Sequence, residues 1–131
     1  DTWALLEASF PDWKLIIVGD GVEKRNLVEK VIQSKLINTF FFVFSDDIAW
    51  CKENMQLSQV TYIDWNIGKD SYIDMYLMTF AKANIIANST FSYWGAYLNR
   101  NNPIVIYPKK WINADYYPNI FPINWIGLTS E

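Results

Sequence analysis

Asp74-Met-Tyr-Leu-Met-Thr-Phe-Ala-Lys-Ala-Asn-Ile-Ile-Ala-Asn-Ser-Thr-Phe-Ser-Tyr-Trp-Gly-Ala-Tyr-Leu98 reads as helix, short buried strand, polar turn and second helix. Asp74 suits a helix start, and Leu77, Met78 and Ala81 follow at i, i+1 and i+4 on one face. Asn84-Ile-Ile-Ala87 is too short for a helix and apolar enough for a strand buried on both faces. Asn88, Ser89, Thr90 and Ser92 then crowd the turn into a helix expected over Tyr93–Leu98, and any of them can cap it. A strand end that feeds a helix N-terminus is where open α/β sheets bind ligands. Free backbone N–H groups and the helix dipole favour a phosphate there. Capping needs one small polar side chain; this turn has several, so capping alone and ligand binding both remain open.

The same punctuation recurs along the chain. Asn38–Phe44 is an aromatic strand buried on both faces, and it runs into Ser45-Asp46-Asp47. A helix over Ile48–Asn54 follows, with Ser45 or Asp46 as its cap. That accounts for one of the two aspartates, while adjacent carboxylates at a strand end also suit a sugar hydroxyl or a base edge. Val60–Ile63 is a further strand, and Asp64–Ser71 is a polar loop around Gly68. Ile104–Tyr107 is a strand closed by Pro108. Lys109 and Lys110 fit either solvent or an anion. The aromatic tail from Ile112 to Glu131 has no period and is expected to pack as irregular structure or short helices. Toward the N-terminus, Trp3–Ala8 has a helical pattern, Lys14–Val18 is a β-branched strand, Gly19-Asp20-Gly21 is a tight turn, and Val22–Ser34 is an amphipathic helix. A lone Gly-x-Gly is weak evidence for nucleotide binding. Strands near 14–18, 40–44, 60–63, 84–87 and 104–107 alternate with helices. This spells an α/β fold: a Rossmann-like doubly wound parallel sheet, one domain over 1–131, with a polar rim suited to a phosphorylated small molecule.

Composition removes several chemistries. The 131-residue chain contains no histidine, which eliminates His-based acid–base catalysis, Ser-His triads and most zinc sites. A net charge of −3 with no basic patch argues against nucleic acid as a partner. Cys51 is alone, so no internal disulfide forms, which suits a reducing, cytoplasmic compartment. No apolar run approaches the length of a membrane span. The chain opens at Asp1 with neither an initiator Met nor a signal peptide, which fits a fragment.

Phe40–Ser45 with Asp46-Asp47-Ile-Ala-Trp-Cys-Lys-Glu-Asn54, then Asp74-Met-Tyr-Leu-Met78, Asn84–Ala96 and Pro108-Lys-Lys-Trp111, strongly resemble the bacterial α-1,2-fucosyltransferases of glycosyltransferase family 11, over roughly residues 38–128. The resemblance implies the C-terminal, donor-binding half of a GT-B enzyme. Such enzymes transfer fucose from GDP-fucose to a galactoside hydroxyl with inversion and need no metal or other cofactor. It implies a sugar-nucleotide site bordered by Ser45, Asp46, Asp47, Asp74, Asn88, Ser89, Thr90, Phe91 and Ser92. It also implies a glycan acceptor, bound where an acceptor-binding half is present, and through such acceptors an association with membranes. Residues 1–37 resemble instead the donor domain of retaining glycosyltransferases of family 4, through Phe10–Gly21, although that family's paired-glutamate motif has no counterpart. The chain therefore reads as two GT-B pieces joined near Leu36–Thr39. The fucosyltransferase motif His-x-Arg-Arg-x-Asp, which neutralises the donor diphosphate, is missing: there is no histidine, and the arginines are Arg25 and Arg100. No residue stands out as a catalytic base. The expectations are thus a fucosyltransferase donor domain that is inactive in isolation, or a truncated, non-catalytic module that binds nucleotide weakly or packs against a partner, or, least favoured, a family-4-like hexosyltransferase. The Asn88-Ser89-Thr90 sequon is read as the ligand turn, on the expectation that it is buried.

Overall fold

The computed structural model describes residues 40–55, 57, 59–112 and 119–129. The elements expected over residues 1–37, the family-4-like unit among them, lie outside the described residues.

Strand β1 (Phe41–Phe44) is buried along its whole length because each face meets its own core. Phe41 and Val43 pack with Cys51, Met55 and Ile85, whereas Phe42 and Phe44 pack with Ile63, Met78 and Ala81. With no face toward water, the strand carries a continuous apolar run rather than an alternation. Each such side chain contributes about 1.5–3 kcal/mol by burial.

Helix α1 (Ile48–Asn54) keeps its expected bounds. Its cap is neither Ser45 nor Asp46 but Asp47, whose Oδ1 accepts from Trp50 N at 3.0 Å. Strand β2 (Val60–Ile63) runs parallel to β1, with Phe41 opposite Val60 and Phe44 opposite Ile63. A loop and a 3-10 turn (Gly68–Asp70) lead into α2 (Tyr72–Met78). This helix starts two residues before Asp74, which therefore lies in its first turn, where the dipole favours a carboxylate.

Strand β3 (Ala83–Ile85) is shorter than expected, although Ile86 N still donates to Ile106 O at 2.9 Å. Helix α3 (Thr90–Tyr97) starts three residues earlier than the sequence reading placed it. Its first intrahelical bond is Tyr93 N to Ser89 O, 3.0 Å, so the polar residues form the cap and first turn of the helix rather than a turn before it. Strand β4 (Ile104–Pro108) pairs parallel with β3.

The tail departs from expectation. It supplies a strand, β5 (Ile126–Leu128), parallel to β4, and Lys109 N donates to Leu128 O at 2.8 Å. Gly127 permits this pairing, since a Cβ there would lie 2.7 Å from Lys109 Cγ and 3.0 Å from Tyr107 Cζ. The ladders also form two sheets, β1-β2 and β3-β4-β5, where one was expected. They meet at β1 and β3, whose Phe41, Val43 and Ile85 share a core cluster. Helix α1 covers one face there; α2 packs against Phe42 and Phe44 on the other, and α3 lies beside α2 and against Ile86 and Val105. The result is an α/β, Rossmann-like arrangement with parallel strands and helices on both faces. Among the described residues no helix is long and apolar enough to cross a membrane.

Candidate functional site

Parallel strands bring all their C-terminal ends to one rim, and the winding reverses between β1 and β3, where the sheets meet. A crevice at such a reversal is the usual ligand site of open α/β sheets. Here a cleft of about 830 Å³ opens at that point, within the range of small-ligand sites. The end of β1 supplies Ser45 and Asp46, the loop after β2 supplies Asp64, Asn66 and Ile67, α2 supplies Asp74 and Met78, and the turn into α3 supplies Asn88, Ser89, Thr90, Phe91 and Ser92. The fold thus gathers eight of the nine residues singled out in the sequence, from three separate elements.

Asp47 is the exception. Its carboxylate caps α1 and its N–H donates to Ser45 Oγ at 3.0 Å, so it serves the helix and does not line the cleft. Ser92 lines the cleft but is buried, and its hydroxyl is shared between Ala87 O (3.2 Å) and Ser89 O (3.0 Å). It ties the helix start to the strand end and is committed to backbone carbonyls. Asn88 and Thr90 are exposed, contrary to the buried turn expected from the sequence. Asn88 Nδ2 donates to Trp111 O at 3.4 Å. Ser89 occupies the cap position of α3 without a side-chain capping bond, and its hydroxyl remains available to the cleft. The N–H groups of Thr90, Phe91 and Ser92 precede the first intrahelical bond and are the orphan donors of the helix start.

Asp74 holds the opposite wall. Asn66 Nδ2 donates to its Oδ1 at 2.6 Å. Burial raises the Asp74 carboxyl above the usual carboxylate range, and the Asn66 amide opposes that shift. Sequence reasoning passed over Asn66 together with Asp64 and Ile67. The available signal was positional: the polar loop Asp64–Ser71 follows a strand, as Ser45 and Asn88 do, and parallel pairing places all three on one rim.

The cleft is acidic. Asp46, Asp64 and Asp74 line it, and among the described residues no lysine or arginine does. Lys52 reaches the rim only through Asp64, 2.9 Å away, in a half-exposed pair of the kind worth about 0–1 kcal/mol. Arg100 is exposed in the loop after α3. Lys109 and Lys110 are exposed beyond β4, and Trp111 beside them is buried in an aromatic cluster with Phe121. Among the described residues no group of three or more carboxylate or thiol side chains is arranged to hold a metal ion.

Fold and cleft together define a Rossmann-like α/β domain with a cleft at its strand ends and a helix N-terminus on one wall. The model for glycosyl transferase family 11 matches residues 9–129, so the chain belongs to that family. The matched range includes the junction expected near Leu36–Thr39. The chain is 42% identical over 104 residues to an alpha-1,2-colitosyltransferase of Escherichia coli, covering 76% of this chain and 36% of that protein. It is 44% identical over 89 residues to the Escherichia coli O-antigen biosynthesis glycosyltransferase WbnK, covering 66% and 29%. The human galactoside alpha-(1,2)-fucosyltransferase 1 is 26% identical over 126 residues, covering 91% and 34%. The chain therefore spans about a third of the length of these curated relatives. No solved structure gives a significant match.

Proposed function

We propose that the chain is the donor-binding part of a fucosyltransferase-like GT-B glycosyltransferase, which takes GDP-fucose and passes the sugar, with inversion, to a galactoside hydroxyl. Membership of family 11 and the names of the relatives support the transferase class. The observation that carries the donor-site reading is the open N-terminus of α3 in a strand-end cleft, flanked by Ser89 and Thr90. In this proposal the N–H groups of Thr90, Phe91 and Ser92 face the diphosphate, and the Ser89 and Thr90 hydroxyls donate to it. The Ser92 hydroxyl, committed to backbone carbonyls, takes no part. Asp46 and Ser45 accept from sugar or ribose hydroxyls across the cleft, and the ring of Phe91 covers the ligand's apolar surface. No metal or cofactor is required. A glycan acceptor, and any membrane association through it, belongs to a whole protein that includes an acceptor-binding half.

Magnitudes set the affinity expected of this chain. A helix N-terminus attracts an anion by about 0.3–1 kcal/mol when exposed and roughly 2 when partly buried. Hydrogen bonds to charged phosphate add about 1.5–3 kcal/mol each before the cost of association is subtracted. With no lining cation among the described residues, and with three carboxylates nearby, a dissociation constant nearer millimolar than micromolar follows, about −4 kcal/mol. Charge on the departing nucleotide is the main electrostatic demand of the transfer, and among the described residues the lining meets it with helix N–H groups and hydroxyls but no cation, so the chain alone should bind GDP weakly and turn over no GDP-fucose. An NMR titration with GDP tests the site. Shifts should cluster at Asn88–Ser92, and Ser89→Ala with Thr90→Val should weaken binding while the fold persists. Shifts elsewhere, or unchanged affinity in the double variant, would reduce the turn to a helix start. An acidic lining with no cation among the described residues also fits a second reading, a non-catalytic binding module. Turnover of GDP-fucose by the pure chain would refute both that reading and the expected inactivity.

A further inference from the structure

We propose that Asp74 acts on the ligand indirectly, as a positioning residue: through Asn66 it holds the loop 64–67 in place as the cleft wall opposite the N-terminus of α3. This rests on the donor-site reading and assigns that wall to the nucleoside part of the ligand. The loop has little apolar anchorage of its own, because Trp65 is 57% and Ile67 76% exposed. The side-chain bonds that tie it to other elements among the described residues are Asp64 with Lys52 of α1 and Asn66 with Asp74 of α2. The first is a half-exposed surface pair and is screened by solvent. The second is shorter, charge-assisted and half-buried, and joins residues 8 positions apart on two elements. Burial works against the Asp74 carboxylate and the Asn66 amide works for it, as expected of a carboxylate already engaged within the protein. The bond occupies Asp74 Oδ1 and orients Asn66, while Asp64, Asn66 and Ile67 are the groups that the loop presents to the cleft. The phosphate-facing N–H groups sit on α3, a different element, so loosening the loop leaves them in place.

The test compares Asn66→Ala, Asp74→Ala, their double variant and Asp74→Asn in the full 131-residue chain. One readout is hydrogen exchange at the Asp70 and Ser71 amides, whose bonds to Ile67 O (3.2 Å) and Gly68 O (3.3 Å) close the loop's far end. The other is affinity for GDP and for inorganic pyrophosphate. Each alanine variant should speed that exchange and weaken GDP by about tenfold, equivalent to ~1.4 kcal/mol, with pyrophosphate unchanged. The double variant should be no worse than either single one, since both break one bond. Asp74→Asn keeps an acceptor for Asn66 and should behave nearly as the wild type. If Asp74→Ala weakens GDP while Asn66→Ala changes neither readout, Asp74 touches the ligand itself and the proposal falls. It falls equally if Asp74→Asn is as damaging as Asp74→Ala. If the wild-type chain binds no GDP, the donor-site reading fails, and exchange alone decides the latch: faster in both single variants upholds it, unchanged overturns it.

Discussion

Replacing Asn99 by alanine should cost the fold about 3 kcal/mol, because Asn99 closes a buried amide network between the two helices that wall the cleft. Asn99 Nδ2 donates to Ala81 O at 2.8 Å and to Asn84 Oδ1 at 3.0 Å, and its own Oδ1 accepts from Asn101 N at 2.9 Å. Asn84, fully buried in β3, passes the network on by donating to Met78 O at 3.0 Å. The chain end of α2, the start of β3 and the loop after α3 are thus tied together by two side chains. In Asn99→Ala, Ala81 O and Asn84 Oδ1 both lose a donor in a place that water reaches poorly. Each orphaned polar group costs about 1–3 kcal/mol. Asn99 itself is 8% exposed, so water can relieve part of the loss, and the sum settles near ~3 kcal/mol rather than the upper limit of about 6. That is a large share of the 5–15 kcal/mol typical of a domain. The assay is urea denaturation of the wild type, Asn99→Ala, Asn84→Ala and the double variant, with the slope checked for constancy. Because the two side chains share a bond, the double variant should lose less than the sum of the single losses. A loss below about 1 kcal/mol for Asn99→Ala, or strict additivity, would mean that the network does not couple the elements.

Two further outcomes follow from the helix pair and from Asp74. Gly95→Ala should destabilise by about 1–3 kcal/mol, because a Cβ there would lie 2.6 Å from Met78 Sδ and 2.8 Å from Met78 Cβ. The sulfur can swing away but the Cβ is fixed to α2, so the double variant Gly95→Ala with Met78→Ala should lose less than the sum of the single losses, as thermal denaturation would show. The Asp74 carboxyl is raised by burial, so the folded state takes up its proton at a higher pH than the unfolded chain does. The ionised group therefore weighs against the fold at neutral pH, and that penalty lifts as pH falls through the raised folded value. Asp74→Asn should accordingly be more stable than the wild type at neutral pH, with the difference vanishing in acid below the ordinary carboxylate range. Denaturation midpoints compared at both pH values check the sign.

Local signals in the chain were enough to place β1, α1 and β2. An aromatic run needs two buried faces, a cluster of Ser and Asp stops it, and Val60–Ile63 has strand character on its own. The turn at Asn88–Ser92 was legible too, because small polar residues between an apolar run and a helix have few other uses. Which hydroxyl stays open to the cleft was not legible. Ser89, Thr90 and Ser92 are alike in sequence, and only the helix start at Thr90 turns Ser92 back onto Ala87 O and Ser89 O. Asp46 and Asp47 are likewise equivalent on paper, and the path of the chain into α1 makes Asp47 the cap and leaves Asp46 at the cleft. Strand β5 has three residues with a glycine in the middle, too short for any period, and becomes a strand only because β4 offers it an edge. Asn66 acquires a role only beside Asp74, and the sequence places seven residues, a 3-10 turn among them, between the two. Periodicity and capping are properties of neighbours along the chain, so sequence determines them. A hydrogen bond between two elements depends on where they come to rest in space, and only the packed tertiary structure decides that.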